Sequence, residues 1–282
     1  MNKILLILLL LHSAFGSKGH PGVGIVMDSK GNVFYTDLAQ IWKINVKGKK
    51  SIVVPNVHSH EIYIDAQDNV YGEHVWYNGE ALDTWGHYVW KLSSDGKIEK
   101  VIPNTKGFLS NYSFVRDRDG SMYWVNRDAD CQKIVEKKNN GVILTRSDAC
   151  LNNVRWMTST PEGIIFIIDF HDLKKMDRQG HVTTLATNLA DKKFLQVFVN
   201  EEHYLSGVTA HKDNVYVADY SGRQVKKITP DGKVSVAAET SLPWSPTGTL
   251  VATNGDFWLL ECSATNAVRV EKISMDGKRT IY

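Results

Sequence analysis

A small group of histidines and acids in the first third of the chain has the side chains needed for catalysis or metal binding. His58, His60 and Glu61 fall within four consecutive positions, and Glu73 and His74 begin twelve residues later. Neutral imidazole and carboxylate groups bind zinc, and the same groups transfer protons near neutral pH. We therefore predict acid–base roles for His60, Glu73 and His74. The candidate ligands of a divalent cation, zinc or calcium, are His58, His60, Glu73 and His74.

The spacing limits how many of these groups can face one ligand. In an extended segment side chains alternate, so His58 and His60 share one side while Ser59 and Glu61 share the other. The five groups then cannot all converge. The alternative is that they cap two loop ends and hydrogen-bond to backbone, with nothing bound.

The chain around this group is a repeat. Six times, a short segment rich in Asp, Asn and Gly precedes a strand-like run of apolar and aromatic residues. Residues that tolerate positive φ are typical of hairpin turns. These turn segments lie at 28–32, 65–69, 117–121, 160–163, 211–214 and 253–256. A second turn follows in every unit, for example 230–233 after the strand-like run 225–228.

Each unit therefore contains four strands and two tight turns, and it recurs at roughly the 40–50 residues typical of a propeller blade. Period-2 alternation runs throughout, without a convincing amphipathic helix. We predict an all-β, six-bladed β-propeller of four-stranded antiparallel blades, forming one domain over 17–282. Six repetitions of one module argue against a β-sandwich. The blades are predicted at 22–55, 57–103, 109–146, 151–187, 194–239 and 244–282. Ring closure stays open between side-chain packing and an edge strand from 17–21.

In a propeller, the loops before the first strand and after the second strand of each blade lie on one face, around the mouth of the central channel. This places the histidines and acids of blade 2 close together on that rim. The polar residues predicted to bind a ligand from the other blades are Asn111, Asp128, Asn153, Arg155 and His171. Asp37, Asp169 and Asp219 recur at equivalent blade positions, which favours a structural role for these three.

An aromatic segment follows the blade-2 group. Trp76, Tyr77 and Trp85 lie in an insertion at 76–87. Such side chains beside a polar rim are able to stack on a sugar ring or another flat ligand. The alternative is a loop that packs onto its own blade.

The repeat resembles a known family. Asp-x-x-Gly-Asn, a strand that ends in Asp, and a later strand with Lys-Ile before Pro-Asp-Gly-Lys are similar to NHL-type repeats and to SMP-30/gluconolactonase-like six-bladed propellers. Blade 5, from Gly207 to Lys233, matches best, and the resemblance covers the whole chain after residue 16. It implies the fold strongly and the function weakly, because this ring hosts lactonases, lyases, binding modules and scaffolds.

The resemblance implies a divalent cation held in the channel by a Glu, an Asn and an Asp, as in lactonases of this kind. The Glu position falls in 20–22 and the Asp position near 206–207, where this sequence has no acid. Only the Asn position, at Asn152 and Asn153, is matched. Amidating lyases of the NHL group hold zinc with histidines from several blades, whereas here blade 2 supplies most of the candidates.

The N-terminus has the features of a secretory signal. A lysine precedes an unbroken Ile/Leu run over 4–11, and small residues follow at 14 and 16. We predict a signal peptide at 1–16 and a secreted or periplasmic protein without a transmembrane anchor, because the run is shorter than a spanning helix. In an oxidising compartment, Cys131 and Cys150 could pair and leave Cys262 free.

The net charge of +2, from 33 basic and 31 acidic residues, gives no reason to expect nucleic acid as a partner. We expect a monomer that binds a small molecule or carbohydrate at the central channel. The leading hypothesis is a hydrolase of the lactonase type or a lyase, metal-assisted or not. The alternative is a non-catalytic module that binds carbohydrate or protein.

Overall fold

The computed structural model describes residues 21–79, 81–82, 84–106, 115–116, 120–127, 131–191 and 203–282. Over this part the chain forms six four-stranded antiparallel sheets, each built from consecutive strands. The predicted fold, an all-β six-bladed propeller, is confirmed. No helix in the described ranges is long and apolar enough to cross a membrane. The predicted signal peptide lies outside the described residues.

The strand bounds follow the repeat. In chain order the strands are β1 (Ile25–Met27), β2 (Val33–Thr36), β3 (Gln40–Ile44), β4 (Lys50–Pro55), β5 (Ile62–Ile64), β6 (Val70–Tyr77), β7 (Trp85–Leu92), β8 (Ile98–Lys106), β9 (Val115–Arg116), β10 (Met122–Asn126), β11 (Lys133–Lys137), β12 (Ile143–Thr145), β13 (Val154–Ser159), β14 (Ile165–Asp169), β15 (Asp172–Met176), β16 (Val182–Ala186), β17 (Leu205–His211), β18 (Asn214–Asp219), β19 (Gln224–Ile228), β20 (Val234–Glu239), β21 (Trp244–Val251), β22 (Phe257–Ser263), β23 (Val268–Ile273) and β24 (Arg279–Ile281).

Aspartates close the turns between the first and second strands. Asp28 accepts hydrogen bonds from the main-chain N–H groups of Lys30 and Asn32 at 3.0 and 2.7 Å. Gly31 in the same turn has φ +83°, a conformation that favours glycine. Asp65 repeats the pattern in blade 2, where it accepts from Asn69. The local sequence thus specifies these two hairpins.

The first strands of the blades surround a central cavity of about 250 Å³. Its wall takes residues from all six sheets, including Met27, Tyr63, Arg116, Thr158, Thr209 and Thr249. Several of these side chains carry polar or charged groups. The channel is therefore a polar cavity rather than an apolar core.

The ring closes by packing between blades 1 and 6. Strands β1 and β21 are neighbours, and Ile25 and Tyr35 share a buried cluster with Trp258 and Leu260. The Trp258 ring stacks on Tyr282 at 5.5 Å. In the described residues each blade keeps its own four strands, and side-chain packing joins blades 1 and 6. Residues 17–20, from which the alternative edge strand would come, lie outside the described residues.

Cys131 and Cys150 form a disulfide, and Cys262 is buried as a free thiol. The bridge spans 19 positions, and closing a loop of that length stabilises the folded state by about 3 kcal/mol through the unfolded chain.

We expect a Cys131→Ser/Cys150→Ser double variant to unfold at lower denaturant concentration than the wild-type protein. The difference should disappear when a reductant is present in both samples. Denaturant melts with and without reductant measure it, and equal midpoints under oxidising conditions would contradict the prediction.

Candidate functional site

The loop that enters blade 2 is anchored at consecutive positions. The main-chain N–H groups of Val23 and Gly24 donate to the His60 carbonyl at 2.8 and 3.0 Å. The Ser59 hydroxyl donates to the Glu73 carbonyl and accepts from the Trp90 indole N–H at 3.0 Å. The neighbouring blade and the core of blade 2 therefore fix the backbone that carries the histidines.

Four side chains come together here, and we call His58, His60, Glu73 and His74 the blade-2 cluster. The rings of His58 and His60 meet edge to face at 4.7 Å. The His58 main-chain N–H donates to His74 Nδ1 at 2.9 Å. His60 Nδ1 lies 3.9 Å from Glu73 Oε1, longer than a hydrogen bond. The grouping predicted from the sequence is present.

The cluster has an inner and an outer layer. His60 and Glu73 are each 3% exposed, whereas His58 and His74 are only partly buried. The neighbouring Glu61 lines the central cavity and accepts a hydrogen bond from the Tyr63 hydroxyl at 2.9 Å. The outer imidazoles are therefore the members with access to solvent.

Burial sets the charge states of the cluster. It raises the pKa of Glu73 from 4.5 to about 7, because no solvent stabilises the carboxylate. Burial also lowers the pKa of His58, although a hydrogen bond to the Leu38 backbone opposes this effect. Burial is also the main cause that lowers the pKa of His74, and the charges of the nearby His58 and Lys100 lower it further. At neutral pH the outer imidazoles are uncharged, and Glu73 is near its midpoint.

A hydrogen bond also selects the tautomer of His74. His74 Nδ1 accepts a main-chain hydrogen bond, so the neutral ring carries its proton on Nε2. The neutral His58 ring likewise has one N–H donor and one acceptor nitrogen. The outer layer thus combines one donor with one acceptor.

The raised pKa of Glu73 predicts a pH-dependent stability. The folded state binds this proton more tightly than the unfolded state does, so the contribution is present below about pH 4.5 and is lost as the pH rises through about 7. The difference between the ordinary pKa of 4.5 and about 7 corresponds to about 3 kcal/mol of folding free energy. We expect Glu73→Gln to be more stable than wild type at pH 8, by more than at pH 5.

Denaturant melts of both proteins at the two pH values measure this difference. Glu99→Gln, on the exposed strand β8 of the same blade, is the matched control. An identical stability difference between Glu73→Gln and wild type at pH 5 and pH 8 would contradict the assignment.

The ligand-binding residues predicted from blade 4 form a separate group. An Arg155 guanidinium nitrogen lies 2.8 Å from His203 Nδ1. The buried His171 ring stacks against Phe170 at 3.9 Å and against Tyr204 at 5.7 Å. Sequence reasoning missed His203 and Tyr204, because they precede β17 and come next to blade 4 only through the fold.

The main chain of Asn153, the third blade-4 candidate, is held by Asp169 at 2.6 Å. Asn111 and Asp128 lie outside the described residues, so their predicted role stays a prediction.

The repeated aspartates have the expected structural role. Asp169 accepts from the main-chain N–H groups of Asn152 and Asn153 and pairs with Lys174 at 2.7 Å. Asp219 accepts from Gly222 and pairs with Lys226 at 3.2 Å. These carboxylates therefore join loop main chain to lysines of the neighbouring strands through hydrogen bonds and ion pairs.

The predicted cation does not fit the side chains as they are placed. In the described part of the chain, no group of three or more His, Cys, Asp or Glu side chains is arranged to hold a metal ion. His74 Nδ1 already accepts a main-chain hydrogen bond. The lactonase-type positions at 20–22 and 206–207 lack their acids. The cation stays a prediction.

The aromatic insertion is a hairpin extension of β6 and β7 rather than a loop. Trp76 packs over Gly86, where an added Cβ would lie 1.9 Å from the indole. The rings of Tyr77 and Trp85 stack at 3.9 Å, and these residues are 40% and 39% exposed. Part of the segment therefore packs on its own blade, and part presents aromatic surface.

Comparison with solved structures places this architecture among known propellers. A streptogramin B lyase superposes with a TM-score of 0.58 at 14% identity, over 93% of this chain and 83% of its own. The chain shares its fold. A gluconolactonase from Xanthomonas campestris gives a TM-score of 0.58 at 10% identity, over 86% of this chain and 83% of its own. A structure of a nidogen/laminin complex gives a TM-score of 0.61 at 14% identity, over 89% of this chain and 92% of its own.

The resemblance to gluconolactonase-like propellers is thus confirmed for the fold. No protein-family model matches the chain, and no curated protein matches it.

Proposed function

We propose that this protein is a hydrolase or lyase that acts on a small molecule at the channel mouth beside blade 2. The observation that carries the proposal is Glu73, a buried carboxyl group with a pKa of about 7, placed 3.9 Å from His60. A general acid or base works best when its pKa lies near the working pH, and burial is how enzymes raise a glutamate into that range.

The outer and inner layers of the cluster have different roles in this proposal. The neutral His74 offers Nε2–H to a substrate oxygen, where it can stabilise developing negative charge or donate the proton. His58 offers an unprotonated ring nitrogen to a water molecule or to a substrate C–H group. Glu73 lies behind this layer beside His60, and its pKa of about 7 allows it to take up or release a proton near neutral pH. These roles suit lactone or ester hydrolysis and β-elimination alike.

The test is a substrate screen with lactones, esters and cyclic depsipeptides, on wild type and on His74→Gln. His181→Gln is the matched control, because His181 is exposed in a turn of blade 4 and pairs only locally with Asp177 at 3.1 Å. We expect turnover by the wild type and by His181→Gln, with a large loss in His74→Gln. Equal activity in all three proteins, or no turnover of any substrate, would contradict the proposal.

A second candidate function is carbohydrate binding without catalysis. The observation that favours it is the partly exposed Tyr77–Trp85 stack at the end of the blade-2 hairpin. Exposed aromatic rings present flat apolar faces on which sugar rings can stack.

This candidate predicts that Trp85→Ala weakens binding of soluble oligosaccharides by about tenfold or more, as expected for loss of one buried aromatic contact. Tryptophan fluorescence titration of Tyr77→Ala, together with calorimetry of Trp85→Ala, measures it. Glu73→Gln should leave this affinity unchanged, which separates the two candidates. Oligosaccharide affinity that is insensitive to Trp85 would exclude this aromatic pair as the binding surface.

Export to an oxidising compartment is also part of the proposal. The Cys131–Cys150 disulfide supports it, because structural disulfides persist outside reducing cytosol. N-terminal sequencing of the exported protein should show cleavage near Ser17, and an intact Met1 in that fraction would contradict it.

A further inference from the structure

A second cavity opens on the opposite face of the propeller from the blade-2 cluster. It measures about 580 Å³ and lies among the turns that follow the first strands of blades 1 to 4. Arg116, Tyr63 and Ser159 line both this cavity and the central channel. The two spaces therefore meet at Arg116. A volume of this size is typical of small-molecule sites.

Arg116 departs from the repeat at its position. It pairs with Met122, the first residue of β10. The residues opposite the first apolar residue of the second strand in the other blades are Met27, Ile64, Ser159, Ala210, which faces Val215, and Val251. None of these carries a charge. Arg116 is thus the one charged residue among the six equivalent positions. A residue that breaks the pattern of its repeat in this way is expected at a functional site.

The guanidinium of Arg116 has weak partners. Its Cζ lies 4.6 Å from the centre of the Tyr71 ring, and one terminal nitrogen lies 3.5 Å from the Met122 sulfur. Its Nε is buried without a hydrogen-bond acceptor. Over the described residues, no carboxylate lies within ion-pair distance of it. A partly buried cation held in this way is stabilised by an incoming anion, and the planar guanidinium matches a carboxylate.

The rest of the wall suits hydroxyl groups. Asp68 accepts from the main-chain N–H of Ser29 at 2.8 Å and from its hydroxyl at 2.5 Å, which leaves further lone pairs on the carboxylate. The hydrogen bonds from Ser29 keep the pKa of Asp68 below its ordinary value, so the group is an acceptor at neutral pH. The ring of Tyr71 adds an aromatic surface beside Arg116.

We propose that this second cavity binds a small hydroxycarboxylate such as a sugar acid, with its carboxylate on Arg116 and its hydroxyl groups toward Asp68. The site is separate from the blade-2 cluster and does not depend on the function proposed for it. A neutral sugar lacks the group that Arg116 recognises, and an anion without hydroxyl groups lacks the contacts to Asp68.

Calorimetric titration with galacturonate, and with galactose as the neutral counterpart, tests the proposal. The proteins are wild type, Arg116→Met, Glu73→Gln and Lys278→Gln. Methionine is the residue that blade 1 carries at the equivalent position, and Lys278 is an exposed cation in a distant turn. We expect wild type to bind galacturonate at least tenfold more tightly than galactose. Arg116→Met should lose at least tenfold in affinity, and the other two variants should match the wild type.

Thermal melts check that Arg116→Met is folded. If it is not, Arg116→Lys replaces it, and a severalfold loss is expected because the charge remains while the planar fork is gone. Equal affinity for galactose and galacturonate, no galacturonate binding by wild type, or unchanged affinity in the folded Arg116 variant would each overturn the proposal.

Discussion

Glu73→Gln should lower the turnover of the best substrate found in the screen by about 10²- to 10⁴-fold, the usual contribution of a positioned acid or base. Glutamine keeps the shape of the side chain and removes only the titration. In the wild type, activity that depends on the Glu73 carboxylate should rise with pH through about 7. That limb of the pH–rate profile should be absent in Glu73→Gln.

The same substitution should stabilise the folded protein at pH 8, since it removes a buried carboxylate. Opposite effects on stability and on activity are expected of a functional group, because such groups are retained at a cost to stability. Glu99→Gln should change neither property. A Glu73→Gln variant that keeps full activity, with its pH dependence intact, would show that Glu73 is only a buried acid.

Gly72→Ala should lower the melting temperature by about 5–10 °C, as expected if overpacking costs about 2–3 kcal/mol in a chain of this size. A Cβ on Gly72 would lie 2.2 Å from Cζ2 of Trp90. Trp90 is 1% exposed, and its indole N–H donates to the Ser59 hydroxyl. The ring cannot move aside without disturbing the loop that carries His58 and His60.

The matched comparison is the double variant Gly72→Ala/Trp90→Phe beside Trp90→Phe alone. The smaller ring leaves room for the added methyl group, so Gly72→Ala should cost less in this background than in wild type. Thermal melts of the four proteins measure the coupling. Equal costs in both backgrounds would mean that Trp90 is not what excludes a side chain at position 72.

The fold could be predicted because its determinants are local. Each hairpin depends on an Asp, Asn or Gly at a turn, as in the hydrogen bonds from Lys30 and Asn32 to Asp28. The closeness of His58, His60, Glu73 and His74 could also be predicted, because one blade brings the loop before β5 next to β6. In the structure Glu73 and His74 lie in the middle of β6, since this strand continues to Tyr77. The sharing of one side by His58 and His60 also followed from alternation.

The remaining features depend on contacts between blades or on burial, and neither is visible in a local pattern. Arg155 meets His203 across 48 positions. Trp76, Tyr77 and Trp85 extend a hairpin, although their sequence suggested a loop. The role of Arg116 depends on a register that only the assembled sheets reveal. The raised pKa of Glu73 results from its burial, and burial cannot be predicted from the neighbouring residues in the sequence.

The most direct test is the titration of Glu73 itself. Carboxyl carbon NMR of the protein labelled at glutamate, with Glu73→Gln to assign the resonance, measures its pKa. We expect a midpoint near 7, the value of a buried carboxyl group that can exchange protons at neutral pH. A midpoint near the ordinary 4.5 would mean that Glu73 is a stable carboxylate in the folded protein, and it would contradict an acid–base function of the blade-2 cluster.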